Sequence, residues 1–431
     1  MRNSYLAYGL PGLPLAALGL PLYVYLPTFY AETLGLGAAA VGVSLFAARL
    51  LDVFTDPVAG WASDRFRLPF GNRKGLILLG APLLLIGVEQ LFRPETPVGP
   101  VYLFIWMSLA YLGWTLIAVP YQAWGAELST DYHRRSKITA SREGCVLLGT
   151  VLAVALPAAI TGADNQQASL DLMATLLWFA IPISLLAALV VVPEPERLRP
   201  PVAWRAGLRL IARNRPLKLL MAAYLVNGIA NGLPATLFLL FVAHVLEARA
   251  ASGALLGIYF VAGIAALPLW IWLARRLSKH RAWSLSMLLV CAVFMWVPFL
   301  GAGDVIAFGV ICLLSGLSLG ADLALPASIQ ADVVDVDTAE GGGGRAGLFF
   351  ALWNMATKLA LALAVGIAFP LLDLAGFTPG GDNPPATLWM LTLLYGGLPV
   401  LFKLTAVLMV WRFPLDEARQ TLLRQSTVSD H

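Results

Sequence analysis

The chain has 431 residues, of which 59% are hydrophobic and only 13% charged; soluble domains run at about 45–50% and about 25%. One water-soluble core cannot bury so much apolar surface, because single cores stop growing near ~250–300 residues. An ordinary soluble enzyme, a disordered chain and a disulfide scaffold are therefore excluded, and a polytopic membrane protein remains. The formal net charge of +4 is small, so its placement matters more than its size.

The N-terminus lacks a signal-peptide design. Only Arg2 precedes an apolar run long enough to span, which reads as the first helix. A spanning helix needs ~20 mostly apolar residues. Counting on that basis predicts an all-α membrane protein of twelve transmembrane helices in two six-helix halves, at 7–29, 37–61, 75–92, 101–125, 139–160, 171–192, 219–245, 254–274, 283–301, 304–328, 348–371 and 387–411. The predicted organisation is an N-terminal half (1–192), a linker (193–218), a C-terminal half (219–412) and a tail (413–431).

Lysine and arginine set the orientation. Alternate connections carry Arg65, Arg67, Arg73 and Lys74; Arg134, Arg135 and Lys137; the arginines of 193–218; and Arg275, Arg276, Lys279 and Arg281, whereas the others carry only Arg93 and Arg249. Both termini are thus expected in the cytoplasm, in a plasma (inner) membrane. In the linker, Arg205, Arg209 and Arg213 recur every four residues, which fits a helix on the membrane surface or a solvated connection. A weak internal repeat joins the halves: Pro57 and Trp61 precede one basic loop, and Pro268 and Trp272 precede another at the same spacing.

Ionisable residues at membrane depth are costly, so they face a cavity or a partner. The second span carries Arg49, Asp52, Thr55 and Asp56, and residues three or four apart share a helical face. Two carboxylates so close need a cation, a shared proton or a basic partner. Their oxygen chemistry suits Na⁺ or a proton rather than a soft metal. A plainer alternative pairs Arg49 with Asp52 at a helix end. Lys358, with apolar residues continuing to Pro370, cannot easily reach an interface and is expected to meet Asp52 and Asp56 from the other half.

Further polar candidates are Thr115, Trp114 and Gln122 in the fourth span and Arg142 beside Glu143 in the fifth; the last two fit a structural pair as well as a ligand site. Asn227 and Asn231, one turn apart, fit interhelical hydrogen bonding or substrate contact. Asp322, Asn354 and Lys403 complete the set, Lys403 being expected to pair with an acid in the outer half. Glu89 reads as an interface residue at the outer end of the third helix. The cysteines Cys145, Cys291 and Cys312 show no paired spacing. There is no nucleotide-binding loop and no Ser/His or Cys/His set; His133, His244, His280 and His431 fall in or near loops.

The runs RLLDVFTDPVAGWASDRFRLPFGNRK (49–74), VPYQAWGAELSTDYHRRSKITASRE (119–143) and QADVVDVDTAEGGGGRAGLFFALWNMATKLA (330–360) resemble the glycoside–pentoside–hexuronide:cation symporters of the major facilitator superfamily, typified by melibiose permease. The resemblance implies a cation site at Asp52, Thr55, Asp56 and Thr115. It implies coupling through Lys358 and a substrate contact at Arg142; Arg49, on the same helical face as the acids, is expected to share the coupling role. The sugar pocket departs from the pattern. The acids that grip a galactoside appear as Ala16 and Ala118, and a nearby aromatic as Gln122, while Tyr23 and Trp114 remain able to stack on a ring.

The expected activity is cation-coupled transport of a glycoside or related small solute by alternating access. The substrate pocket would draw on Tyr23, Trp114, Gln122, Arg142, Asn227, Asn231, Asp322 and Asn354. A lysolipid or other amphiphile, and an uncoupled exporter, are the alternatives on the same fold. No cofactor is expected beyond Na⁺ or H⁺ as coupling ion. The expected partners are a small-molecule substrate and membrane lipid, with no nucleic acid, and the unit a monomer. A distant rival reads Asp52/Asp56 and Asp332/Asp335/Asp337 as aspartate-rich Mg²⁺ sites of an intramembrane prenyltransferase. The glycines at 341–344 and Arg345 read instead as a solvated gate.

Overall fold

The computed structural model describes residues 2–65, 71–95, 97–128, 132–161, 165–193, 214–337 and 346–413. The linker at 194–213, with its arginine series, the loop at 341–344, Arg345 and the tail from 414 lie outside them. Every described element is helical, as a lipid environment requires of a chain whose backbone groups must be satisfied internally.

Among the described residues, the twelve long helices are α1 (Leu6–Thr33), α2 (Ala38–Arg65), α3 (Asn72–Phe92), α4 (Pro100–Glu127), α5 (Tyr132–Ile160), α6 (Gln166–Val191), α7 (Arg215–His244), α8 (Ser252–Leu277), α9 (Lys279–Phe294), α10 (Val305–Asp337), α11 (Ala346–Leu374) and α12 (Pro385–Val410). Among the described residues, eleven are long and apolar enough to cross a membrane. The twelfth is α5, whose first turns carry Arg134, Arg135, Lys137, Arg142 and Glu143 before its apolar stretch. Several helices outrun the predicted spans; α10 continues nine residues past 328 to Asp337. Hydropathy marks the apolar interior and is blind to helix that continues beyond it.

Proline shapes the bundle without ending its helices. In α1 the chain turns at Leu10 and Pro11, then passes through wide turns at Pro21–Tyr25 and Phe29–Thr33. Pro21 and Pro27 bring no N–H to the ladder, and a wider turn accommodates the loss. A similar wide turn interrupts α12 at Leu393–Gly397. Asn165 and Asn214 cap α6 and α7, accepting from the Ala168 and Leu217 N–H groups.

Small residues let helices close up within each half. A Cβ at Gly113 would strike the Leu84 backbone, locking α3 to α4, and one at Gly320 would strike the Gly263 carbonyl, locking α8 to α10. Between the halves, α2 packs along α11: Phe369 fills the space a Cβ on Gly42 would need, and Phe46 does so for Gly366. The halves also echo each other. The residue before α3, Gly71, has φ 100° and ψ 160°; the residue before α9, Ser278, has φ 108° and ψ 153°. The sequence repeat of Pro57 and Trp61 with Pro268 and Trp272 lies just ahead of these two turns.

Candidate functional site

The α2 face carries Arg49, Asp52 and Asp56 in succession, all buried (3%, 2% and 6% exposed). Lys358 crosses from α11 and places Nζ 2.7 Å from Asp52 Oδ1 and 2.6 Å from Asp56 Oδ1. It also donates to Thr115 Oγ1 on α4 at 2.8 Å. The Thr115 hydroxyl lies 3.0 Å from Asp52 Oδ1 and 2.9 Å from Asp56 Oδ1. One ammonium is therefore cradled by three oxygens drawn from two helices of the N-terminal half.

Arg49 pairs with Asp52 at 3.3 Å. Its guanidinium is sandwiched between Tyr23 and Tyr111, 4.3 and 3.9 Å from the ring centroids, a cation–π arrangement that holds the charge in a dry place. Among the described residues, its Nη2 has no hydrogen-bond partner. Two carboxylates and two cations make the cluster neutral. Both readings of Arg49 thus meet in one geometry: it pairs with Asp52, and Lys358 supplies the charge that one arginine could not. Thr55 donates to the Asp52 backbone carbonyl at 2.8 Å and lies 3.4 Å from Asp52 Oδ1. Its hydroxyl thus supports the α2 backbone as much as it faces the cluster.

A second cluster lies wholly in the C-terminal half. Asp322 of α10 accepts from Asn227 Nδ2 (3.0 Å) and Asn231 Nδ2 (2.9 Å) of α7 and from Trp283 Nε1 (2.7 Å) of α9. Lys403 of α12 lies 3.6 Å from Asp322 Oδ2 and donates to Asn227 Oδ1 at 2.9 Å. Asn227 and Asn231 are thus interhelical hydrogen-bond partners, and the acid that meets Lys403 is Asp322.

The remaining candidates are more scattered. Arg142 pairs with its neighbour Glu143 at 2.6 Å. Gln122 is exposed, and Trp114 and Asn354 are half-buried. Next to Asn354, Trp353 stacks on Tyr224 with centroids 3.7 Å apart. Glu89 binds Arg93 at 3.1 Å and accepts from Trp178 Nε1, joining α3 to α6. Asp332 pairs with Lys279 at 2.6 Å, so it is tied to α9; the Asp335 and Asp337 side chains lie outside the described set. Among the described residues no group of three or more His, Cys, Asp and Glu side chains could hold a metal ion.

Three contributors escaped the sequence reading. Tyr111 sits one turn before Thr115 on α4, so its face was readable, but an apolar helix gives no cue to an arginine stacking there. Trp283 looks like any tryptophan near a helix start. Glu32, at the end of α1, pairs with Arg249 at 2.5 Å and with the His244 ring, tying α1 to the end of α7.

Comparison with known proteins agrees with this architecture. A family model described as MFS/sugar transport protein matches residues 7–417. A human sodium-dependent lysophosphatidylcholine symporter 1 is 25% identical over 96% of this chain and 86% of its own length. A glucuronide carrier protein homolog of Escherichia coli is 22% identical over 92% of this chain and 89% of its own length. In fold, the nucleoside transporter NupG superposes with a TM-score of 0.68 at 13% identity, covering 96% of this chain and 100% of that one. A bacterial homolog of the lysosomal transporter Spinster superposes with a TM-score of 0.65 at 13% identity, covering 100% and 97%. The chain belongs to the MFS/sugar transport protein family, within the major facilitator superfamily, and is an integral multi-pass membrane transporter rather than an enzyme.

Proposed function

We propose that this transporter is a cation-coupled symporter whose ion site is formed by Asp52, Asp56, Thr115 and Thr55, with Lys358 as the coupling residue and Arg49 holding the acids in place. The observation that carries this reading is the position of the Lys358 ammonium. It takes up the oxygens of Asp52, Asp56 and Thr115 that a small hard cation would use. An incoming Na⁺ must displace it, because a fifth charge in a neutral, dry cluster is expensive. The released ammonium then becomes available to the substrate, which links ion and substrate binding reciprocally. A proton on one acid would weaken the lysine's hold in the same way, so H⁺ is the alternative coupling ion.

The substrate class favoured is a single-chain amphiphile. Support comes from the lysophosphatidylcholine symporters among the relatives and from the alanines at 16 and 118. A glycoside is the second reading, supported by the glucuronide carrier homolog and by Tyr23 and Trp114. Under either reading the halves 1–192 and 219–412 rock about the cluster, joined by the 193–218 linker. The monomer is the working unit, both termini are cytoplasmic, and the site lies in the plasma (inner) membrane. Neither reading calls for a cofactor or a nucleic-acid partner; membrane lipid is the surroundings of the protein.

Uptake into proteoliposomes under imposed Na⁺ or H⁺ gradients tests this. Lysophosphatidylcholine or a glucuronide should accumulate uphill with one of the two ions, and Asp52→Ala and Asp56→Ala should abolish that accumulation. Uptake indifferent to both ions, or surviving in both variants, would overturn the proposal.

A further inference from the structure

A cavity of about 90 Å³ runs inside the C-terminal half. Its walls come from α7, α8, α9, α10 and α12; the single N-terminal contributor among its lining residues is Val24, in the first wide turn of α1. On α10 the lining runs from Ile311 to Asp322. Eleven steps of ~1.5 Å make this about 16 Å, the span of an extended alkyl chain of roughly a dozen carbons. Phe238, Phe260 and Phe294 dominate the apolar part.

The charged and amide groups that line it make their bonds within the protein. Asn231 donates Nδ2 to Asp322, and Lys403 lies against Asn227 and Asp322. Ser318 donates to the Ser286 carbonyl and Ser315 to that of Cys312. With its acid, lysine and serine hydroxyls paired and Phe238, Phe260 and Phe294 along its walls, beside the rings of Tyr259 and Tyr395, the cavity rewards burial of hydrocarbon more than of a charged head. A smaller cavity beside it is lined by Tyr23, Arg49 and Tyr111, and the two share Ala235. That smaller space presents Arg49, whose Nη2 lacks a hydrogen-bond partner among the described residues.

We infer that the C-terminal cavity is the binding site for the alkyl chain of an amphiphilic substrate, whose polar head stays beside Arg49. This rests on the amphiphile reading above and locates its apolar part.

The test is photolabelling of the full chain in lipid nanodiscs with a single-chain phosphocholine bearing a terminal aliphatic diazirine. Labelled peptides are mapped by mass spectrometry without any ion gradient. Label is expected on Phe260, Ile311, Cys312 or Leu319, falling about fivefold or more with excess dodecylphosphocholine, a shift of roughly 1 kcal/mol in apparent affinity. Val310 and Leu323 of the same helix, which are half exposed on the outer face, should carry background label that the competitor leaves unchanged. Ser315→Phe, which fills the cavity, should remove the interior label, and Ser315→Ala should keep it. Label confined to Val310 and Leu323, or interior label that neither competitor nor Ser315→Phe reduces, would overturn the inference. Interior label without gradient-driven uptake would instead leave this site standing and remove the coupling proposal.

Discussion

Two buried acid–lysine clusters stand among the described residues, and they differ in what they join. Lys358 bridges from α11 to acids on α2, so its ion pairs cross between the halves. Lys403 and Asp322 stay within one half, and Asp322 takes donors from α7 and α9 as well. In the first cluster the lysine, 18% exposed, is the one that the proposed coupling has give way to an ion. In the second, the lysine is 2% exposed and the carboxylate is already encircled by donors. A buried pair inside one unit contributes specificity and fixed geometry, whereas under the proposed rocking of the halves a pair that crosses the seam would act as a switch.

Substitutions should separate the two. The largest effect is expected from Lys403→Ala, which leaves Asp322 as a buried acid short of a cation; stability should fall by about 3–5 kcal/mol, read as loss of the monodisperse, folded fraction on heating. Replacing both partners, Asp322→Leu with Lys403→Met, should recover most of that loss, since apolar isosteres of a buried pair are often neutral. Asp52→Asn should leave the fold intact but reduce gradient-driven uptake about 100-fold, or about 2.7 kcal/mol, and no companion change at Lys358 should rescue it. If the Asp322/Lys403 double variant instead lost transport while staying folded, the contrast between the clusters would fail.

Glu32→Gln tests a third contact across the seam. It weakens the ties to Arg249 and His244, each charged hydrogen bond contributing about 1.5–3 kcal/mol. In a chain otherwise free of cysteine, a thiol placed by Val365→Cys, beside the smaller cavity, should react about tenfold faster with a water-soluble maleimide, or about 1.4 kcal/mol. The smallest effect concerns Ser278, whose backbone lies in a region essentially reserved for glycine. Ser278→Gly should raise stability by about 1 kcal/mol, measured as a higher unfolding temperature, and the equivalent change at Gly71, to serine, should lower it.

The sequence reading reached some of this and not the rest, for physical reasons. Asp52 and Asp56 stand out because a charge in an apolar helix has a high cost and their spacing of four fixes a shared face. Lys358 stands out for the same reason, and the shortage of positive charge on α2 called for it. Asn227, Asn231, Asp322 and Lys403 were each noticed, but three different helices carry them. Which way each helix is rotated depends on packing, and no local pattern encodes that. Thus the acid for Lys403, expected in the outer half, had no residue assigned to it; it is Asp322 of α10. Glu32 gave no signal because an acid at a helix end is ordinary, and its partners lie more than two hundred residues away in the chain. Helix number followed from hydropathy, but helix ends beyond the apolar zone, as in α10, did not.

The contacts at Gly113 and Gly320 have a mechanical corollary. Where backbone touches backbone, neighbouring helices have no soft side-chain layer in which to slide, and α3 with α4, or α8 with α10, must travel together. Between the halves the glycines are covered by side-chain carbons instead, Phe369 over Gly42 and Phe46 over Gly366. Under the proposed rocking, each locked pair would move as one board, and the adjustment would fall to the side-chain layers that separate the halves.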